Sequence, residues 1–188
     1  MGRKLAVLFP GVGYNCDKPL LHYARRIFTE TGYETVLLKY KKDTFSDGRV
    51  TEEGVSRAYY SVTKQLREYS MEKYEDIVFI GKSVGTLLAF MLGEDYTQGK
   101  NRISSIRYIA LTPLSQTFPY MQGKTVLAVS GTKDPVVPEV RLRELAEQYN
   151  VDLHLYTGGN HSLEVRNHPE QSVVILAELI HLMQEFTK

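Results

Sequence analysis

Short apolar runs alternate with longer amphipathic stretches along the whole chain. Residues 4–9 (KLAVLF), 34–40 (ETVLLKY), 76–80 (DIVFI), 106–111 (IRYIAL), 125–129 (TVLAV) and 151–156 (VDLHLY) read as strands. Their length and β-branched content match strands buried in a sheet. Between them, apolar residues recur at helical spacing. Leu21, Ala24, Ile27 and Phe28 define one face of a helix over 18–31, with Asp17 as expected N-cap, Pro19 just inside the start and Gly32 at the end. Residues 41–51 are polar, contain Asp47-Gly48 and read as a loop. A helix over 51–70 opens on Thr51 as cap. Residues 84–92 are small and apolar enough for a helix buried on most sides. Pro138 and Pro169 mark the starts of helices over 138–149 and 169–186.

Repeated strand and helix in this order predict the α/β class. The expected architecture is a doubly wound, mostly parallel sheet of about six strands with helices on both faces. No Gly, Ser or Pro-rich linker and no repeat divides the chain, so residues 1–188 are expected to form a single domain.

Composition narrows the partners. The 188 residues are 43% hydrophobic, which argues against disorder. Their 23 basic and 22 acidic side chains give a formal net charge of +1, without the basic surplus of a nucleic-acid binder. No segment approaches the roughly 18 uninterrupted apolar residues of a membrane span. Arg3-Lys4 precede an apolar stretch, but Pro10 cuts it short of the about 7–15 residues of a signal peptide. Ala6 stands where a myristoylation signal needs Ser or Thr. A cytoplasmic protein is expected, as monomer or homodimer. The single Cys16 rules out an intramolecular disulfide and a cysteine-based zinc cluster, and no metal or cofactor is expected.

In a parallel sheet, chemistry gathers in the loops at the carboxyl ends of the strands. After the strand at 76–80 comes Gly81-Lys82-Ser83-Val84-Gly85, which fits G-x-S-x-G. A sharp strand-to-helix turn at such a motif leaves no room for side chains two residues before and after the serine. Chance supplies roughly 0.06 such matches in a chain of this length. A serine hydroxyl needs a base, and the base an orienting acid, in the chain order Ser, Asp or Glu, His. No carboxylate occurs between Asp95 and Asp134, and Asp134 follows the strand at 125–129. Four histidines follow Ser83. His154 falls within a strand, His181 within a helix and His168 at a helix start. His161 follows Thr157-Gly158-Gly159-Asn160, in the loop after the last strand. Three required residue types thus fall after three strands in the required order. For an oxyanion hole, the residue after the nucleophile, Val84, offers one N–H. Pro10-Gly11-Val12-Gly13-Tyr14, after the first strand, offers a second, with Val12 favoured and Gly13 or Tyr14 as alternatives.

With "FPGVGY", "GKSVG", "GTKDPVVP" and "GGNHSLE", the chain resembles the α/β-hydrolase superfamily. It is most similar to small, lidless bacterial serine hydrolases related to dienelactone hydrolase. The resemblance implies a minimal α/β-hydrolase fold with Ser83 as nucleophile, Asp134 as acid, His161 as base and Val12 and Val84 as oxyanion donors. It implies hydrolysis of a small-molecule ester or related acyl compound through an acyl-enzyme. There are departures. Pro10-Gly11 replaces the His-Gly often found in the first loop, and dienelactone hydrolase uses a cysteine where this chain has Ser83. The chain is expected to lack the first two antiparallel strands of larger members. Only residues 112–124 separate two strands where a lid is usually inserted, so an open site is expected.

Lys82 and Tyr14 are candidate substrate contacts, although an outward-facing lysine is the preferred reading of Lys82. Cys16 reads as a redox-sensitive thiol or, more simply, a small apolar residue. Tyr14, Tyr40, Tyr59 and Tyr60 read as pocket lining or half-buried packing. Two other functions fit the same pattern: a non-catalytic binding protein on this fold, and a flavodoxin-like nucleotide or regulatory domain. The weak glycine pair of "PGVGYNC" disfavours the second.

Overall fold

The computed structural model describes residues 2–41, 43–45, 48–98 and 103–188. Its centre is a six-stranded sheet of β1 (Arg3–Phe9), β2 (Glu34–Leu37), β3 (Tyr74–Lys82), β4 (Arg107–Leu111), β5 (Val126–Gly131) and β6 (Leu153–Tyr156). The strand order is β2-β1-β3-β4-β5-β6, and every neighbouring pair is parallel. The order reverses between β1 and β3. Loops leaving those two strands diverge there and open the crevice in which doubly wound sheets bind their ligands.

Register explains the apolar runs. Val36, Val7, Phe79, Tyr108 and Val126 lie opposite one another across five strands. They point to the face covered by α2 (Glu52–Leu66), α3 (Val84–Gln98), α4 (Phe118–Met121) and α5 (Glu139–Gln148). The next row, Leu37, Leu8, Ile80, Ile109 and Leu127, points the other way. It packs against α1 (Pro19–Glu30) and α6 (Pro169–Phe186). Because both faces are covered, β1 and β3 are almost continuously apolar rather than alternating. The two edge strands, β2 and β6, have four residues each and are only partly buried.

Local chemistry moved several element boundaries. Strand β2 ends at Leu37 rather than at residue 40. After Leu38 donates to Leu8, the Lys39 backbone turns to the side-chain amide of Gln65, at 3.0 and 2.8 Å. Asp17 does not cap α1. Its own N–H donates to Asn15 Oδ1, and Lys18 takes the cap position without a side-chain bond, with Pro19 in the first turn. Thr51 does cap α2, accepting from the Gly54 N–H at 3.1 Å. That helix stops at Leu66, and a short 3₁₀ turn at Met71–Lys73 leads into β3. The segment 112–124 holds a 3₁₀ turn at Ser115–Thr117 followed by α4, neither of which has a sequence long enough to show helical periodicity. Asp47 of the expected 41–51 loop lies outside the described residues. No helix among the described residues is long and apolar enough to cross a membrane.

The end of the sheet opposite the crevice is tied by Arg107. It donates to both Asp76 carboxylate oxygens, at 3.2 and 2.8 Å, to the Tyr33 hydroxyl at 2.8 Å, and to the Phe186 carbonyl. One guanidinium so joins β4, β3, the turn between α1 and β2, and the end of α6. The middle is held by aromatic packing. Phe79 is fully buried, with ring centroids 5.1 Å from Phe9 and 6.1 Å from Tyr108. Phe79→Ala is expected to cost about 3–5 kcal/mol. Urea unfolding should show this as a lower midpoint at unchanged slope, and a midpoint within error of wild type would contradict the packing described.

Candidate active site

Ser83 sits on the turn between β3 and α3. Its φ of 55° lies in the left-handed region that a serine enters only under constraint. The constraint is steric. A Cβ on Gly81 would come within 2.5 Å of Thr86 Cα, and one on Gly85 within 2.2 Å of the Phe9 carbonyl oxygen. The start of α3 is therefore pressed against both β3 and the end of β1. Hydrogen bonds hold the turn. The Ser83 N–H donates to the Leu111 carbonyl at 3.0 Å, and the Ser83 carbonyl accepts from the Thr86 N–H at 2.9 Å and the Thr86 hydroxyl at 2.6 Å. Thr86 is itself held by Thr117, 2.9 Å away on the 3₁₀ turn after β4.

The other two expected residues meet it. His161 Nε2 lies 2.8 Å from Ser83 Oγ, and His161 Nδ1 lies 2.7 Å from Asp134 Oδ2. Asp134 Oδ1 accepts from the Val136 N–H at 2.8 Å and, more weakly, from the Val137 N–H at 3.4 Å. Burial pushes the Asp134 carboxyl upward. The His161 hydrogen bond and charge, with the two N–H donors, outweigh burial and leave its pKa below the usual carboxylate value.

Each loop is braced by its neighbour. The Lys133 N–H donates to the Gly159 carbonyl at 2.9 Å, and the Thr132 hydroxyl accepts from the Gly158 N–H at 2.9 Å. Asn160 Oδ1 accepts from the N–H groups of Ser162 and Glu164, at 2.7 and 3.1 Å, closing a turn around His161. Thr112, at the end of β4, donates its hydroxyl to the His161 carbonyl at 3.1 Å. Sequence reasoning did not single out Thr86, Thr112, Thr117 or Asn160. Only the Asn160-x-Ser162 spacing, typical of an Asx turn, carried a signal.

The loop after β1 approaches from the other side. Gly11 and Tyr14 exchange both backbone hydrogen bonds, at 2.9 and 3.3 Å, so Val12 and Gly13 form the tip of a tight turn. A Cβ on Gly11 would lie 3.3 Å from Ser83 Cβ. The Tyr40 hydroxyl donates to the Pro10 carbonyl at 2.8 Å and anchors the loop to the chain after β2. Since the Tyr14 N–H is used within the turn, the free donors are those of Val12 and Gly13. A cavity of about 940 Å³ opens beside this loop, lined in part by Val12, Tyr14, Tyr40 and Phe45. Tyr59 instead bonds Asp95, and Tyr60 is exposed in a separate groove.

Lys82 requires a correction. It is 1% exposed rather than outward-facing, because β3 pairing with Leu111 directs it to the face of α1 and α6. Its Nζ lies 5.0 Å from the centroid of the Tyr14 ring. Burial lowers its pKa from 10.5 to about 7, against an opposing pull from Asp134. A buried amine of this kind is not poised to touch a substrate. Cys16 is buried with its Sγ 3.9 Å from two carbonyl oxygens, and its pKa is pushed up to about 11, first by burial and then by Asp17. It behaves as a small apolar residue. The remaining histidines stay apart. His154 and His181 are exposed, and His168 lies beside Glu170 before α6. Among the described residues, no three His, Cys, Asp or Glu side chains gather as a metal site would require.

The chain superposes over nearly its whole length on solved structures. The fold is that of the α/β-hydrolases. An α/β serine hydrolase homologue from Coxiella burnetii superposes with a TM-score of 0.68 at 18% identity, covering 98% of this chain and 84% of that one. An α/β serine hydrolase without a lid from Xanthomonas campestris gives 0.63 at 14% identity, over 99% and 84%. Est1E from Butyrivibrio proteoclasticus, solved with ferulic acid bound, gives 0.65 at 14% identity, over 98% and 88%. At such identities the likeness is one of fold. The sequence matches no protein-family model and no curated protein.

Lys82 gives the site a pH signature. Unfolded, it titrates near 10.5, and folded, near 7. Between those values the unfolded chain binds more protons, so stability rises with pH across the window. Below about pH 7 the folded protein bears the full cost of the buried charge. Lys82→Met is expected to remove the rise and to stabilise the protein below pH 7 by on the order of a few kcal/mol. Denaturant unfolding at pH 6, 8 and 10 checks this. Parallel pH curves for the two proteins would refute it.

Proposed function

We propose that the protein is a serine hydrolase acting on a small-molecule ester or related acyl compound. The observation that carries this reading is the unbroken series Ser83 Oγ, His161 ring, Asp134 carboxylate, with hydrogen-bond spacings of 2.8 and 2.7 Å. Its position at the crevice of an α/β-hydrolase fold supports it further.

In this mechanism the Asp134 carboxylate accepts from His161 Nδ1–H. That fixes the tautomer in which Nε2 carries the lone pair facing Ser83. Ser83 attacks the acyl carbon as Nε2 takes its proton. The positive charge on the imidazole is balanced by Asp134, whose lowered pKa keeps it ionised at neutral pH. The carbonyl oxygen becomes an oxyanion, for which Val84 N–H at the start of α3 and Val12 N–H in the first loop are the assigned donors. The positive end of the α3 dipole adds to them. His161 returns the proton to the leaving alcohol or thiol, and an acyl-Ser83 remains. Water, deprotonated by the same Nε2, releases the acid. The left-handed turn that sets the Ser83 backbone brings Oγ within hydrogen-bond reach of His161.

A fluorophosphonate probe should label the wild type and leave Ser83→Ala unlabelled. Ser83→Ala and His161→Ala should each lose at least about 10³-fold in kcat on an aryl ester, with thermal melts near wild type. Asp134→Asn should lose about 10³–10⁴-fold through the wrong tautomer. Labelling of Ser83→Ala equal to wild type would overturn the assignment of the nucleophile.

A further inference from the structure

The cavity beside the first loop has a charge pattern that the acyl-transfer machinery does not use. Its inner wall is apolar and aromatic, with Val12, Tyr14, Leu37, Tyr40 and Phe45. Lys18, Arg25, Lys39 and Lys41 also line it, against the single acid Asp17. Among the described residues none of these four cations has a carboxylate within 4.0 Å to neutralise it. The chain as a whole is nearly neutral, at +1. Four cations against one acid around one cavity are therefore a local surplus relative to the chain's own balance.

Position adds to the charge. The cavity is lined by Gly11, which packs on Ser83, as well as by Tyr40 and the chain after β2. The Lys39 backbone is pinned by the Gln65 amide, and Tyr40 by its bond to Pro10. These two anchors fix where the cationic side chains of Lys39 and Lys41 originate. Lys18 stands at the N-terminal end of α1, where the helix dipole also favours negative charge.

We infer that this cavity binds the anionic end of the substrate: an ester with an apolar or aromatic stem next to the scissile bond and a carboxylate or phosphate beyond it. This rests on the hydrolase reading above, since it places the reacting carbonyl at Ser83. The apolar wall takes the stem, and the lysines with Arg25 take the anion. An exposed ion pair contributes little singly. Four cations around one concave site act together on an anion of fixed position and also speed its capture.

The test compares three 4-nitrophenyl esters of equal acyl length: a neutral monocarboxylic ester, a half-ester ending in a carboxylate and one ending in a phosphate. The expected result is a higher kcat/KM for an anionic ester, shrinking as salt rises. Lys39→Glu with Lys41→Glu should lower the anionic-to-neutral ratio of kcat/KM by about tenfold, mainly through KM. Arg141→Glu with Arg143→Glu on α5 changes net charge equally and should leave the ratio alone. Preference for only one anionic ester identifies the headgroup. Equal kcat/KM on all three esters, or a ratio unmoved by the Lys39 and Lys41 reversal, overturns the inference while leaving the hydrolase reading standing. A direct titration separates the two ideas. The free dicarboxylate and the corresponding carboxyalkyl phosphate are added to Ser83→Ala, and amide shifts of residues 11–14 and 39–41 are followed. Saturable shifts that disappear in the Lys39 and Lys41 reversal support the anion site even if no ester is turned over. No shift with either anion overturns it.

Discussion

Everything at the crevice depends on how closely α3 approaches the ends of β1 and β3. Two positions without a Cβ, Gly81 and Gly85, permit it, because a single methyl at either would overlap backbone atoms. The same approach forces Ser83 into the left-handed region. A looser turn would relax the serine backbone and carry Oγ away from His161. The turn's strain is held in place by the Leu111 carbonyl on one side and by Thr86 with Thr117 on the other. The 3₁₀ turn that replaces a longer insertion after β4 is therefore part of the support for Ser83.

Precision at one end of the sheet is matched by anchoring at the other. The Arg107 cluster ties strands and helix ends where no chemistry is expected, and fully buried aromatics fill the middle. The crevice end carries what is costly: a buried carboxylate, a buried amine and a strained serine. Asp134 is compensated by its partners. Lys82 is compensated mainly by losing its proton, with an aromatic face beside it. Stability lies in the core, and the crevice draws on it.

The sheet was legible in the sequence because strands buried on both faces leave an unbroken apolar run. Ser83, Asp134 and His161 were legible because each follows such a run, and because the carboxylate-free interval left Asp134 as the first acid available after Asp95. What the sequence concealed is decided by neighbours rather than by local pattern. The end of β2 depends on Gln65, which lies on another element. Asp17 looked like a cap, but its N–H is taken by Asn15. Lys82 looked exposed because lysine usually is. Pairing with Leu111 fixes the face on which it lies, and that register is invisible in a single chain. Thr86, Thr112 and Thr117 act through hydroxyl contacts across the fold, for which an isolated threonine gives no sign.

The tapering of the sheet bears on how copies of the molecule meet. Its longest strands are central, and the two outer ones have only four residues each. An open edge of hydrogen-bonding groups is a template for further strands, whether from a partner or from an aggregate. Here an incoming strand would find a ladder only a few rungs long at either side, bordered by exposed Glu34 at one edge and His154 at the other. Growth of the sheet from chain to chain is thereby discouraged. The outer helix surfaces instead present paired charge to the solvent.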